Sequence, residues 1–174
     1  MYKKRLESHV KVAVLIVLAI ASSSIAFQAS TYGQGASEQQ TRGVFVADLE
    51  PRNAGTNGTG LAILKTQGND TMSFIINATS IANVGNIMIS QWTGGGRPAD
   101  IVTLHSATTQ GQINGPFNGT IANGTFTSAD FTGRLNGRSM LDLINMIMND
   151  GNIWVRVGTT AFPVGEIAGR LIVT

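Results

Sequence analysis

At 174 residues the chain is the size of one domain; 43% apolar residues suffice for a core, while 13% charged is low for an ordinary soluble protein. Its nominal charge of +2 is concentrated at the start, where Lys3, Lys4, Arg5 and Lys11 face only Glu7; eight basic and nine acidic residues remain beyond them, which excludes a nucleic-acid partner recruited by charge. Cysteine is absent, which excludes a disulfide framework, thiolate catalysis and cysteine-ligated metal.

In chain order, the basic start is followed by the apolar run Val12–Ala21, and Ser24-Ile25-Ala26 supplies small residues at cleavage positions before Phe27. Residues 1–26 therefore read as a signal peptide or an N-terminal membrane anchor. The run is about half the roughly 20 residues of a membrane helix, but counting on through Phe27 lengthens it, so both readings stand. Either way the protein is exported, secreted or anchored to the outer face of the cytoplasmic membrane, with membrane contact only through residues 12–27 if they are uncleaved. Residues 27–42 are small and polar and read as a flexible linker.

From Gly43 the pattern becomes strand-like. Val44, Val46 and Leu49 open a strand that Pro51 ends. Leu61–Leu64 and Met72–Asn77 form a predicted hairpin through Gln67-Gly-Asn-Asp70. Gly85–Trp92 alternates Ile87, Ile89 and Gln91 with Asn86, Met88, Ser90 and Trp92, and either set fits an inward face. A strand around Ile101–Leu104 follows a glycine loop. Asn-Gly recurs at Asn57, Asn114, Asn118, Asn123 and Asn136, a density that predicts short hairpins with type I′ turns.

One helix is expected. Ser139 with Asp142 three residues on makes a capping box, Leu141, Ile144 and Met148 with Leu143 and Ile147 make an apolar stripe, and Asp150-Gly151 ends it. Beyond it, Ile153, Val155 and Val157 alternate with Trp154 and Arg156, Thr159–Pro163 supply a turn, and Ile167–Val173 return as a closing strand.

This closing stretch resembles the CHRD (chordin) domain family. The resemblance rests on Gly151, Trp154-Val-Arg-Val157 and Pro163-Val-Gly-Glu-Ile-Ala-Gly-Arg-Leu171, supported by Val44–Glu50, Gly58–Ala62, Gly124–Phe131 and the segment Leu141–Met148. It covers residues 43–174 and implies an exported β module of the prokaryotic single-domain kind. Relatives often show a His-x-His strand and a histidine in a Val-x-Val-His-Thr segment. Here Met88-Ile89-Ser90 and Gly158 stand at those positions, so no histidine metal site carries over.

The chemistry-bearing residues are few. His9 and His105 are the only imidazoles, too few for a copper or zinc centre. Asp100 and Asp130 lack the dense ligand spacing of a calcium loop. No Gly-x-Ser-x-Gly elbow is present, and Trp92–Pro98 lacks the Lys-Ser/Thr ending of a phosphate loop. Trp92 and Arg97 are candidate ligand contacts, because aromatic and Arg side chains anchor interfaces. Glu166 is a third candidate, with a structural role as its alternative, either accepting backbone N–H bonds or pairing with Arg156 or Arg170. Asn57, Asn69, Asn77, Asn118 and Asn123 each open an Asn-x-Thr triplet and are candidate glycan acceptors.

The sequence thus predicts an all-β domain, an antiparallel Greek-key sandwich or flattened barrel of about eight to ten strands with one short helix before the final hairpin. The expected role is that of a non-enzymatic, cofactor-free module at the cell envelope that binds a protein or polysaccharide partner. The alternative is an exported metal-binding protein or enzyme using Asp100, Asp130, Glu166 and His105, and it requires those groups to converge.

Overall fold

The computed structural model describes residues 43–94 and 96–174. The expected signal or anchor and the linker lie outside the described residues. Eight strands form one sheet with every pairing antiparallel: β1 (Val44–Pro51), β2 (Thr59–Gln67), β3 (Thr71–Gln91), β4 (Ala99–Ser106), β5 (Ile113–Thr127), β6 (Ile153–Thr159), β7 (Ile167–Arg170) and β8 (Ile172–Val173). The ring β1-β2-β3-β6-β7 returns to β1 and closes a five-strand barrel, with β4, β5 and β8 as additions. The barrel alternative of the expected fold class is the one that forms.

The two expected hairpins are present. Thr59–Gln67 pairs with Thr71–Thr79 across the turn containing Gly68, which adopts φ 73°. Trp154 pairs with Arg170 and Val157 with Ile167 in the closing hairpin. Ile153, Val155 and Val157 are wholly buried, so the odd-numbered positions of β6 face the core. The returning segment splits where the sequence suggested one strand: β7 lies between β6 and β1, and after Leu171 the chain shifts to pair with β1 alone.

The stretches read separately as Met72–Asn77 and Gly85–Trp92 belong to one strand of 21 residues, β3. It stays continuous because Ser80 and Asn83 take left-handed backbone (φ 54° and 53°) and introduce bulges, with register shifts on both sides. Such bulges bend a strand and strengthen its twist, as barrel closure requires. Before the bend β3 pairs with β2, and after it with β6. Its other edge takes β5 and then β4.

The Asn-Gly expectation is corrected here. Asn114, Asn118 and Asn123 mark no hairpin turns; all three lie inside β5, where Gly115 and Gly119 have positive φ and the register against β3 shifts. The freedom of glycine serves bulges in an edge strand instead of reversals.

A single-turn helix, α1 (Ala107–Gln110), links β4 to β5, and the expected helix is α2 (Met140–Asn149). The capping box is present: Asp142 N–H donates to Ser139 Oγ, and Ser139 N–H donates to Asp142 Oδ2 at 2.9 Å. Its core face is Met140, Leu143, Ile144 and Ile147, whereas Leu141 and Met148, placed in the predicted stripe, are exposed. The stripe was centred one position off: 140, 143, 144 and 147 follow the helical period more closely.

A Cβ on Gly169 would penetrate the backbone carbonyl of Asp48, whereas one on Gly96 meets nothing. Gly169→Ala is expected to lower stability by at least about 2 kcal/mol and Gly96→Ala to leave the urea midpoint unchanged. Asp142 is held below the ordinary carboxylate value of 3.8 by the Ser139 hydroxyl first, the Ser139 N–H next, and the Arg138 charge. Its folded pKa is depressed, so its contribution is present above 3.8 and is lost as pH falls through the lower folded value. Asp142→Asn should therefore flatten the acid limb of the stability–pH curve measured by urea melts.

Candidate functional site

The residues whose chemistry drew attention in the sequence come from several elements: Trp92 just after β3, Asp100 and His105 on β4, Asp130 after β5 and Glu166 before β7. Arg156, on the outer face of β6, is buried by the loop from Thr160 to Gly165. Its Nε donates to Ser90 Oγ at 2.8 Å, Nη2 pairs with Asp100 Oδ1, and Nη1 donates to the Val164 carbonyl. Ser90 in turn donates to Asp100 Oδ1 at 2.7 Å. One guanidinium thus stitches β3, β4, β6 and the closing loop, with a fork geometry that suits Arg and not Lys.

Met88 and Ser90 lie on β3 opposite Arg156 and Trp154, and Gly158 lies opposite Asn86. Positions where relatives often carry histidines therefore share one outer face. Ser90 and Arg156 fill that face with a hydroxyl and a cation. Gly158 is capped by Asn86, whose amide donates to the Pro163 carbonyl at 3.2 Å, so a side chain at 158 would displace the loop.

Glu166 is buried and accepts from Thr159 Oγ1 at 2.7 Å. Among the described residues it pairs with neither Arg156 nor Arg170, because Arg156 is committed to Asp100. Asp130 closes a capping box on Thr127. His105 is buried and lies opposite the fully buried Ile87, and its Nε2 meets no hydrogen-bond partner among the described residues. No three His, Asp or Glu side chains among the described residues are grouped to hold a metal ion.

A different cluster does form. Trp92, just past the end of β3, and Trp154, on the outer face of β6, stand with ring centroids 6.1 Å apart and planes tilted by 56°. The backbone N–H of Trp92 donates to Asn152, which holds the chain after β3 beside the start of β6. The Arg52 guanidinium lies 5.2 Å from the Trp92 centroid and 5.3 Å from that of Trp154. Both indoles are half-buried and Arg52 is exposed. Such stacking is worth about 0.5–1 kcal/mol per exposed cation–ring contact and holds the guanidinium while leaving its edge N–H groups to solvent or a ligand. Sequence reasoning selected Trp92 and missed Trp154 and Arg52; the outward position of Trp154 opposite inward Ile153 and Val155 was the available signal. Arg97 is exposed in the loop leaving Trp92, while Glu166 takes part in a separate hydrogen bond.

Of the glycan candidates, Asn57, Asn69, Asn118 and Asn123 are exposed; Asn118 accepts from Ser80 N–H at 2.8 Å. Asn77 is half-buried, with its carbonyl accepting from Thr120 Oγ1 at 2.7 Å.

The fold and this exterior define a class: a closed antiparallel β-barrel module carrying a cation–aromatic cluster on its surface. The model of the CHRD domain family matches residues 39–171, and the chain belongs to that family. No curated protein and no solved structure matches it.

Arg156→Met removes a buried guanidinium from three acceptors and is expected to cost about 2–3 kcal/mol. Asp100→Asn keeps an acceptor beside Arg156 in a position where the carboxylate is already 42% exposed, so a smaller loss of about 1 kcal/mol is expected. Urea melts give both values, and limited proteolysis should cut the Thr160–Gly165 loop faster in Arg156→Met alone.

Proposed function

We propose that the protein is a non-enzymatic module of the cell envelope, exported by its N-terminal segment, that binds a protein or polysaccharide partner through the surface formed by Arg52, Trp92 and Trp154. The observation that carries this reading is the guanidinium seated over two neighbouring, half-buried indoles on the barrel exterior. Aromatic and Arg side chains anchor recognition surfaces because they combine large apolar area with few degrees of freedom and directed donors. The scattered placement of Asp100, Asp130, Glu166 and His105 works against a reaction assembled from them.

Export is supported by the basic start, the apolar run and the small residues before Phe27. Exposed Asn57, Asn69, Asn118 and Asn123 are the acceptors best placed for glycans in a host that attaches them.

The test is co-sedimentation of the protein with washed, insoluble cell-envelope material. Trp154→Ala, Trp92→Ala and Arg52→Gln should each weaken binding about tenfold or more while leaving the urea midpoint near that of the parent. Undiminished binding by all three variants would remove the cluster from the account. Mass spectrometry of the native N-terminus checks the export step: a chain beginning at Phe27 indicates release, and residues 12–21 retained in membranes indicate an anchor.

A further inference from the structure

We propose that the cluster of Arg52, Trp92 and Trp154, extended by Arg170, is a binding site for an acidic polysaccharide of the polyuronate class; this deepens, and rests on, the contact role assigned above. From residue 43 onward the chain carries seven basic and eight acidic residues, so the domain as a whole does not attract a polyanion. The cations are nevertheless gathered unevenly. Arg170 lies directly across from Trp154 in the β6–β7 pairing, on the same outer face. Its guanidinium lies against the backbone at Gly151, where an added Cβ would stand 3.3 Å from Nη1. The next residue, Asn152, accepts from the Trp92 N–H. Arg97 is exposed in the loop that leaves Trp92, whereas Arg134 bonds Gln91 Oε1 at 3.1 Å on the inward side of β3. Three of the seven cations, Arg52, Arg97 and Arg170, thus belong to the cluster or to the loop and strand beside it.

The acids nearest the cluster are Glu50, two residues before Arg52, Asp48, exposed on β1 with its backbone against Gly169 beside Arg170, and Asp150, next to Gly151. None of the three forms an ion pair, the Arg156–Asp100 pair being the only one among the described residues. Among the described residues the side chains of Arg52 and Arg170 have no hydrogen-bond acceptor and no ion-pair partner. Two guanidinium groups with free donor edges flank two indoles. Carboxylates match that donor geometry, and the C–H faces of a sugar ring match the apolar indole surface. A protein partner would call for an apolar core to the interface, yet of the exposed large apolar side chains Leu141, Met148, Ile172 and Val173 belong to α2 and β8, and Val164 alone stands in the loop over Arg156.

The chain contains two tryptophans, and both are in the cluster, so intrinsic indole emission reports on this site alone. The full chain in mild detergent is titrated with sodium oligogalacturonate and with neutral maltooligosaccharides of equal length, following that emission. Oligogalacturonate is expected to change the emission with an affinity that falls as salt rises. Neutral oligosaccharides, and Arg52→Gln or Arg170→Gln proteins with oligogalacturonate, should bind about tenfold more weakly or worse. Equal binding of the neutral sugar, or unchanged affinity in both Arg variants, overturns the proposal. If oligogalacturonate is silent while envelope sedimentation still depends on Trp92 and Trp154, the acidic class falls and the contact role stands. If sedimentation is indifferent to both tryptophans, the contact role falls and takes this proposal with it.

Discussion

The barrel depends on one strand doing two jobs. β3 must pair with β2 along its first half and with β6 along its second, and a straight pleated strand cannot turn from one partner to the other. The turn is made at Ser80 and Asn83, where non-glycine residues accept left-handed backbone at about 1–3 kcal/mol each. That strain is held by specific bonds: Ser80 N–H to Asn118 Oδ1, Gly115 N–H to Asn83 Oδ1, and Thr160 N–H to the Asn83 carbonyl. The polar edge strand β5 and the closing loop therefore fix the bend that closes the ring. With the bend in place, the second half of β3 delivers Ser90 to Arg156 and leaves Trp92 beside the start of β6.

Two arginines show how burial divides one side-chain chemistry into two roles. Arg156 is sealed under a loop with every arm of its fork occupied, so its charge is spent on holding strands and loop together. Arg52 is exposed and steadied by ring faces, which cannot consume its N–H donors. The first arrangement yields stability and the second leaves guanidinium N–H groups at the surface, where the proposed ligand would meet them. The outer face on which relatives often carry histidines belongs here to the first, through Ser90, Arg156 and the close contact at Gly158.

The most legible parts of the sequence were those governed by short-range rules. The alternation at Ile153, Val155 and Val157 and the Ser139–Asp142 box each involve neighbours in the chain, and both are found as read. The Asn-Gly pairs were misread because positive φ at glycine signals a departure from regular backbone without saying whether the chain reverses or bulges. The unity of β3 was hidden because Ser80 and Asn83 resemble loop residues until β5 supplies their partners. The site was half visible: Trp92 announced itself beside a glycine loop, but Arg52 comes from a segment forty residues earlier and joins only through closure of the ring. No local pattern could have placed Asp100, instead of Glu166, against Arg156.

The proposed cation–aromatic surface would meet its ligand at Arg52, Trp92 and Trp154 while the buried Arg156 stays out of reach. Nitrogen-detected or proton–nitrogen NMR of the two indole Nε1–H groups and the arginine Nε–H groups tests this most directly. On addition of oligogalacturonate, both indole signals and that of Arg52 should move, while the Arg156 signal, bonded to Ser90, stays in place. Perturbations centred on α2, β8 or the Asn-rich edge strand, with the indole signals still, would contradict it.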